Sequence, residues 1–136
     1  MFYPGGSVGL RNVGSYQISG HPFVTGSTLA TGHEFHISFP SVTRDFTVIN
    51  SGSTGAGPVL RVHFNSTSSG DVIAGHHYVT LESDDQSYTF HHKCKEIYIS
   101  CVANGGNDNG FEVIANLTNI DASHMYELTG AGLTDP

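Results

Sequence analysis

From residue 33 onward, apolar and polar positions alternate along the chain, and this period of two predicts half-buried β-strands. In HEFHISF, residues 33–39, Phe35, Ile37 and Phe39 fall on one face and His36 and Ser38 on the other. TRDFTVIN, residues 43–50, sets Phe46 and Val48 against Thr47 and Ile49, a pattern expected of a strand covered on both sides. VLRVHFN opposes Leu60, Val62 and Phe64 to Arg61, His63 and Asn65. In HHYVTLE, Val79 and Leu81 share a face with His77, and in SYTFHH, Tyr88 and Phe90 alternate with Thr89 and His91. KEIYISCV turns Ile97, Ile99 and Cys101 inward and Glu96, Tyr98 and Ser100 outward. FEVIANLT aligns Phe111, Val113, Ala115 and Leu117, and the short MYELT is expected to pair at an edge.

Between these runs lie SGSTGAGP, STSSGD, SDDQ and ANGGNDNG, segments of strong turn chemistry. With no helical period and no fixed repeat, the pattern predicts an all-β fold: a single antiparallel β-sandwich or jelly roll of about 7–8 strands. Residues 1–32 read differently. Gly5, Gly6, Gly9, Gly14, Gly20, Gly26 and Gly32 interrupt every short run, so this stretch is expected to be an extended glycine-rich arm preceding a domain at 33–136. The arm still carries Phe2, Tyr3, Leu10, Tyr16, Ile18 and Phe23, too many apolar side chains for a solvated linker. These six are the candidate partner-binding residues.

Composition narrows the classes of function. The 136 residues suffice for one core. Glycine 17, serine 15, threonine 12 and asparagine 8, with only 12% charged residues, disfavour a helical bundle. A net charge of −7 opposes direct contact with nucleic acid or anionic lipid. No stretch reaches membrane-spanning length, and the amino terminus lacks a basic region followed by an apolar one, so a soluble protein without a secretion signal is expected. Cys94 and Cys101 have an odd offset and are expected to be reduced thiols; the sequons at Asn65 and Asn116 carry no weight in a chain this rich in Asn, Ser and Thr.

The nine histidines invite a metal reading, but His33/His36, His76/His77 and His91/His92 have odd offsets that split each pair across a strand. No metal and no cofactor are expected. His36, His63, His91 and His92 form instead a candidate pH-sensitive interface. No nucleophile elbow, P-loop or zinc-protease motif occurs, so no catalytic residue is assigned. Asp84-Asp85 reads as a hairpin turn, and the loop from Asn104 to Gly110 has one carboxylate, Asp108, too few for a strong calcium site. Lys93 and Lys95 with His91 and His92 make the single cationic cluster along the sequence, suited to an acidic partner or to guarding a strand edge. Tyr78, Tyr98 and Tyr126 are the candidates for stacking on sugars, although the chain has no tryptophan.

An apolar, glycine-punctuated arm, GLRNVGSYQISGHPFVTGS, leading into a compact β-domain resembles the small virion structural proteins of tailed bacteriophages, in particular capsid decoration or cement proteins. FPSVTRDFTVIN, LRVHFNS, HHYVTLESDDQSYTF, KCKEIYIS and YELTGAGLTD are similar to segments of marine-phage structural proteins. The resemblance implies a non-enzymatic homotrimer on the outer capsid surface of a virion, bridging major capsid proteins of the phage shell. Two rival classes accompany it: a host-glycan-binding head- or tail-fibre component, and a cupin-like metalloenzyme.

Overall fold

The computed structural model describes residues 21–30, 32–52, 59–67, 75–82, 86–102, 109–130 and 132–133. Eight strands run through them: β1 (His21–Leu29), β2 (Glu34–Ser38), β3 (Ser41–Gly52), β4 (Val59–His63), β5 (Val79–Leu81), β6 (Ser87–Phe90), β7 (Glu96–Val102) and β8 (Asn109–Asp121). They form two antiparallel four-stranded sheets, β1-β8-β3-β6 and β2-β7-β4-β5. The pairing is nested: β1 lies beside β8, β2 beside β7, β3 beside β6 and β4 beside β5. The β3–β8 and β4–β7 pairings then complete the two sheets.

Alternation along each strand delivers one apolar row per sheet to a shared interior, giving a β-sandwich-like core. Phe46 and Val48 of β3, with Phe111, Val113, Ala115 and Leu117 of β8, meet Ile37, Leu60, Val62, Ile97, Ile99 and Cys101 of the other sheet. Phe35 of β2 meets Phe111 of β8 edge to face at 5.3 Å between ring centroids and connects the layers, while Phe46 stacks on Phe90 at 4.8 Å within the first sheet. Complete burial of one such ring stabilises the fold by about 2–3 kcal/mol. The apolar faces read for β2, β4, β7 and β8 are the buried ones, whereas β3, expected to be covered on both sides, buries Phe46 and Val48 and leaves Thr47 and Ile49 half-buried. Val79 and Tyr88, which share faces with the buried Leu81 and Phe90, are exposed on strands at sheet edges.

Two segments differ from the sequence expectation. His21–Leu29, assigned to the arm, is a nine-residue strand paired with β8 along its whole length. Its central glycine serves this pairing rather than ending it, because a Cβ at Gly26 would come within 2.9 Å of the Phe111 carbonyl oxygen. The expected boundary at residue 32 therefore falls after β1. The second segment is MYELT, which forms no strand. β8 ends at Asp121, whose carboxylate accepts from the Ser123 amide at 2.9 Å and its hydroxyl at 2.8 Å, starting a 3-10 turn at Ala122–His124. Met125 is then buried with Val42 and Ile120 in a small second cluster, and Leu128 packs against both clusters. Cys94 and Cys101 are buried and form no disulfide. Burial pushes the Cys94 thiol up to about 11.

Candidate functional site

Register in the second sheet assembles a polar ladder from outward positions on three strands. His36 of β2 lies opposite Tyr98 of β7, and Tyr98 lies opposite His63 of β4. The three rings are nearly parallel: His36 stacks on Tyr98 at 4.4 Å, and His63 flanks the tyrosine from the other side at 6.0 Å. Carboxylates bracket the ladder. Glu96 Oε2 is 3.4 Å from His36 Nε2, and Glu96 Oε1 accepts from the Tyr98 hydroxyl at 3.3 Å. Glu34 accepts from the Ser66 hydroxyl at 2.8 Å and the Thr67 amide at 2.9 Å, fixing the chain after β4 over this face.

That covering segment explains why His63, on an outward position, is only 1% exposed. Its Nδ1 is 2.7 Å from the Asn65 carbonyl oxygen, which can only accept, so Nδ1 carries the proton. Nε2 is then the acceptor for the Ser100 hydroxyl at 3.0 Å. Burial holds the pKa of His63 below its usual value, opposed by the Asn65 hydrogen bond and Glu34 and reinforced by Arg61. Burial, followed by the charge of Glu96, raises the pKa of Tyr98.

The Ser100–His63–Glu34 order is chemically suggestive, since a hydroxyl faces an imidazole whose other nitrogen lies 3.7 Å from a carboxylate. However, Nδ1 donates to a backbone carbonyl at a much shorter distance, and both Ser100 and His63 are buried. The arrangement holds β2, β7, β4 and the segment after β4 in register, and presents no nucleophile to a cleft. Among the described residues, no three His, Cys, Asp or Glu side chains stand where they could share a metal ion.

The stacking candidates divide accordingly. The faces of Tyr98 are taken by the flanking imidazoles, and Arg61 lies 4.2 Å over the ring of Tyr78. Tyr126 is 66% exposed and lines a surface cleft. Of the four histidines expected at an interface, His36 and His63 share the ladder, whereas His91 and His92 follow β6 on an exposed segment. His63 departs from the expectation, because its enclosure within its own chain makes its titration a matter of fold stability.

Of the expected arm anchors, Phe2, Tyr3, Leu10, Tyr16 and Ile18 lie outside the described residues, as do Asp84-Asp85 and Asp108. Phe23 is described, and it departs from a partner-facing role: its ring meets Phe39 edge to face at 5.4 Å and packs against the core.

The outer face of the first sheet is of another kind. Val24, Ile114, Thr47 and Thr89 stand in one row across β1, β8, β3 and β6. The threonine hydroxyls bond to each other at 2.8 Å, while Val24 and Ile114 are 71% and 45% exposed. Among the described residues β1 is also an edge strand, and it carries no Asp, Glu, Lys or Arg. Sequence reasoning missed this surface because β1 was assigned to the arm; Val24 and Ile114 become neighbours only through register. No family model matches the chain, and no curated protein matches it.

Proposed function

We propose that the two sheets form a jelly roll, and that the protein is a virion structural protein that decorates a tailed-phage capsid. As a homotrimer on the outer shell surface, it would stabilise the shell by bridging major capsid proteins. The fold reading is supported by the nested pairing, since wrapping one long hairpin over itself places first against last, second against seventh, and so inward. The functional reading rests on one observation above the others: an uncharged nine-residue edge strand beside the exposed Val24–Ile114 pair. Unpaired edges of this length are sites for strand addition, and an apolar row next to one rewards a protein partner.

Residues 1–20 join β1 at His21, so the apolar arm positions are tethered to this edge by the chain itself. Backbone hydrogen bonds at the edge would supply register, with aromatic anchors supplying affinity. Repetition around a shell makes weak individual contacts sufficient.

The test is the mass of untagged protein by light scattering over a concentration series, followed by co-sedimentation with undecorated phage shells. A species of about three times 14.5 kDa that sediments with shells is expected. A monomer that stays in the supernatant overturns the reading. A variant lacking residues 1–20 should remain folded and lose shell binding. The cut belongs before His21, because a deeper deletion removes part of β1 from the sheet.

A further inference from the structure

The end of the chain builds a second surface, independent of the arm and of the decoration reading. After the 3-10 turn, the segment from Met125 comes against Lys95, the residue before β7, and is held there by it. The Lys95 ammonium donates to the Met125 carbonyl oxygen at 3.4 Å and to Glu127 Oε1 at 2.6 Å. Between this segment and the residues after β4 and β6 lies an open cleft of about 310 Å³, lined by Phe64, His92, Lys93, Tyr126, Leu128 and Leu133.

Its floor is continuous with the core. Phe64 meets Phe46, Phe90 and His92 edge to face at 6.3, 6.3 and 6.0 Å, so a side chain entering the cleft would contact a rigid aromatic cluster. Lys93 stands at its rim, on a chain of net charge −7. Exposed His91, His92 and Lys93 follow one another at the cleft. The cleft is open to solvent rather than enclosed, and its volume has room for a large apolar side chain together with part of the chain that carries it.

We propose that the cleft docks an acidic segment of a protein partner, taking one apolar side chain between Phe64, Tyr126 and Leu128 while flanking carboxylates meet the Lys93 rim. Apolar contact supplies most of the affinity, and charge complementarity selects the partner and speeds its arrival.

The test is a heteronuclear NMR titration of the full chain with three peptides: Gly-Asp-Leu-Asp-Gly, Gly-Lys-Leu-Lys-Gly and Gly-Asp-Ser-Asp-Gly. The first should shift amides at Phe64, His92, Lys93, Tyr126 and Leu128, and bind more tightly than either of the others. Lys93→Glu should weaken it by about fivefold or more and transfer the preference to the lysine peptide. Tyr126→Ser, at an exposed position, should weaken both leucine peptides and leave the sign of the preference unchanged. Equal response to the acidic and basic peptides, shifts centred elsewhere, or no response at about 5 mM peptide, where a millimolar site would be saturating, overturns the proposal. So would the same amides shifting on concentration of the protein alone, which would assign the cleft to a second copy.

Discussion

The outer faces of the two sheets are built on opposite plans. On the second sheet, polar side chains from three strands stack and hydrogen-bond with one another, and the segment after β4 closes over them. On the first, the central row is Val24, Ile114 and two threonines, with carboxylate chemistry kept to its flanks at Glu112 and Asp45. A face whose polar groups satisfy each other gains little from a partner, because docking would replace good hydrogen bonds with others. A face that exposes apolar groups gains free energy from being covered. Both faces have the same strand geometry, so the difference lies in which residue types occupy the outward positions.

The contrast is most exposed to failure at His63. His63→Ala would leave the Ser100 hydroxyl and the Asn65 carbonyl without their present partner and open a void, a loss of about 2–4 kcal/mol in urea unfolding. A loss below about 0.5 kcal/mol, the level of a neutral surface change, would show that the ladder is ornamental. Next in size, Gly26→Ala forces a methyl against the Phe111 carbonyl oxygen and should cost about 1–2 kcal/mol, with hydrogen exchange accelerated in β1 first. Unchanged protection there would return residues 21–29 to the arm.

Acid should reach the second sheet through the same imidazole. The folded pKa of His63 lies below its usual 6.5, so the unfolded chain takes up the proton more readily. The stability His63 contributes is complete above pH 6.5 and is lost as pH falls from there through the folded value, by at most about 1.4 kcal/mol per pH unit. His63→Gln should flatten that slope in unfolding curves between pH 8 and pH 5. The smallest effect on stability belongs to the first sheet. Val24→Ser with Ile114→Ser should change unfolding by no more than about 0.5 kcal/mol per site, yet abolish assembly or shell binding. If assembly survives the pair, the exposed row is not the interface.

Much of the fold was legible because the β period carries over directly into burial. Alternation alone puts Phe46 with Val48, and Leu60 with Val62, on one face and turns Ile97, Ile99 and Cys101 inward, and all seven are buried. The outward assignment of His36, Arg61, His63, Glu96, Tyr98 and Ser100 likewise came from parity. What parity does not contain is the neighbour on the next strand. β1 was missed for a related reason: glycine and threonine weaken its alternation, and its place in the sheet depends on β8, whose partner residues lie 80 to 96 positions further along the chain.

The sequence by itself determined an all-β chain and the buried face of most strands, because side-chain parity is a local property. Only the tertiary structure decided that β1 belongs to a sheet, that His36, Tyr98 and His63 form one ladder while Val24 meets Ile114, and that the last described residues wall a cleft over Phe64. These are matters of register and of long-range packing. A shift of one residue between distant strands would exchange the faces without altering the pattern of any single strand, so their selection falls to the core shared by both sheets.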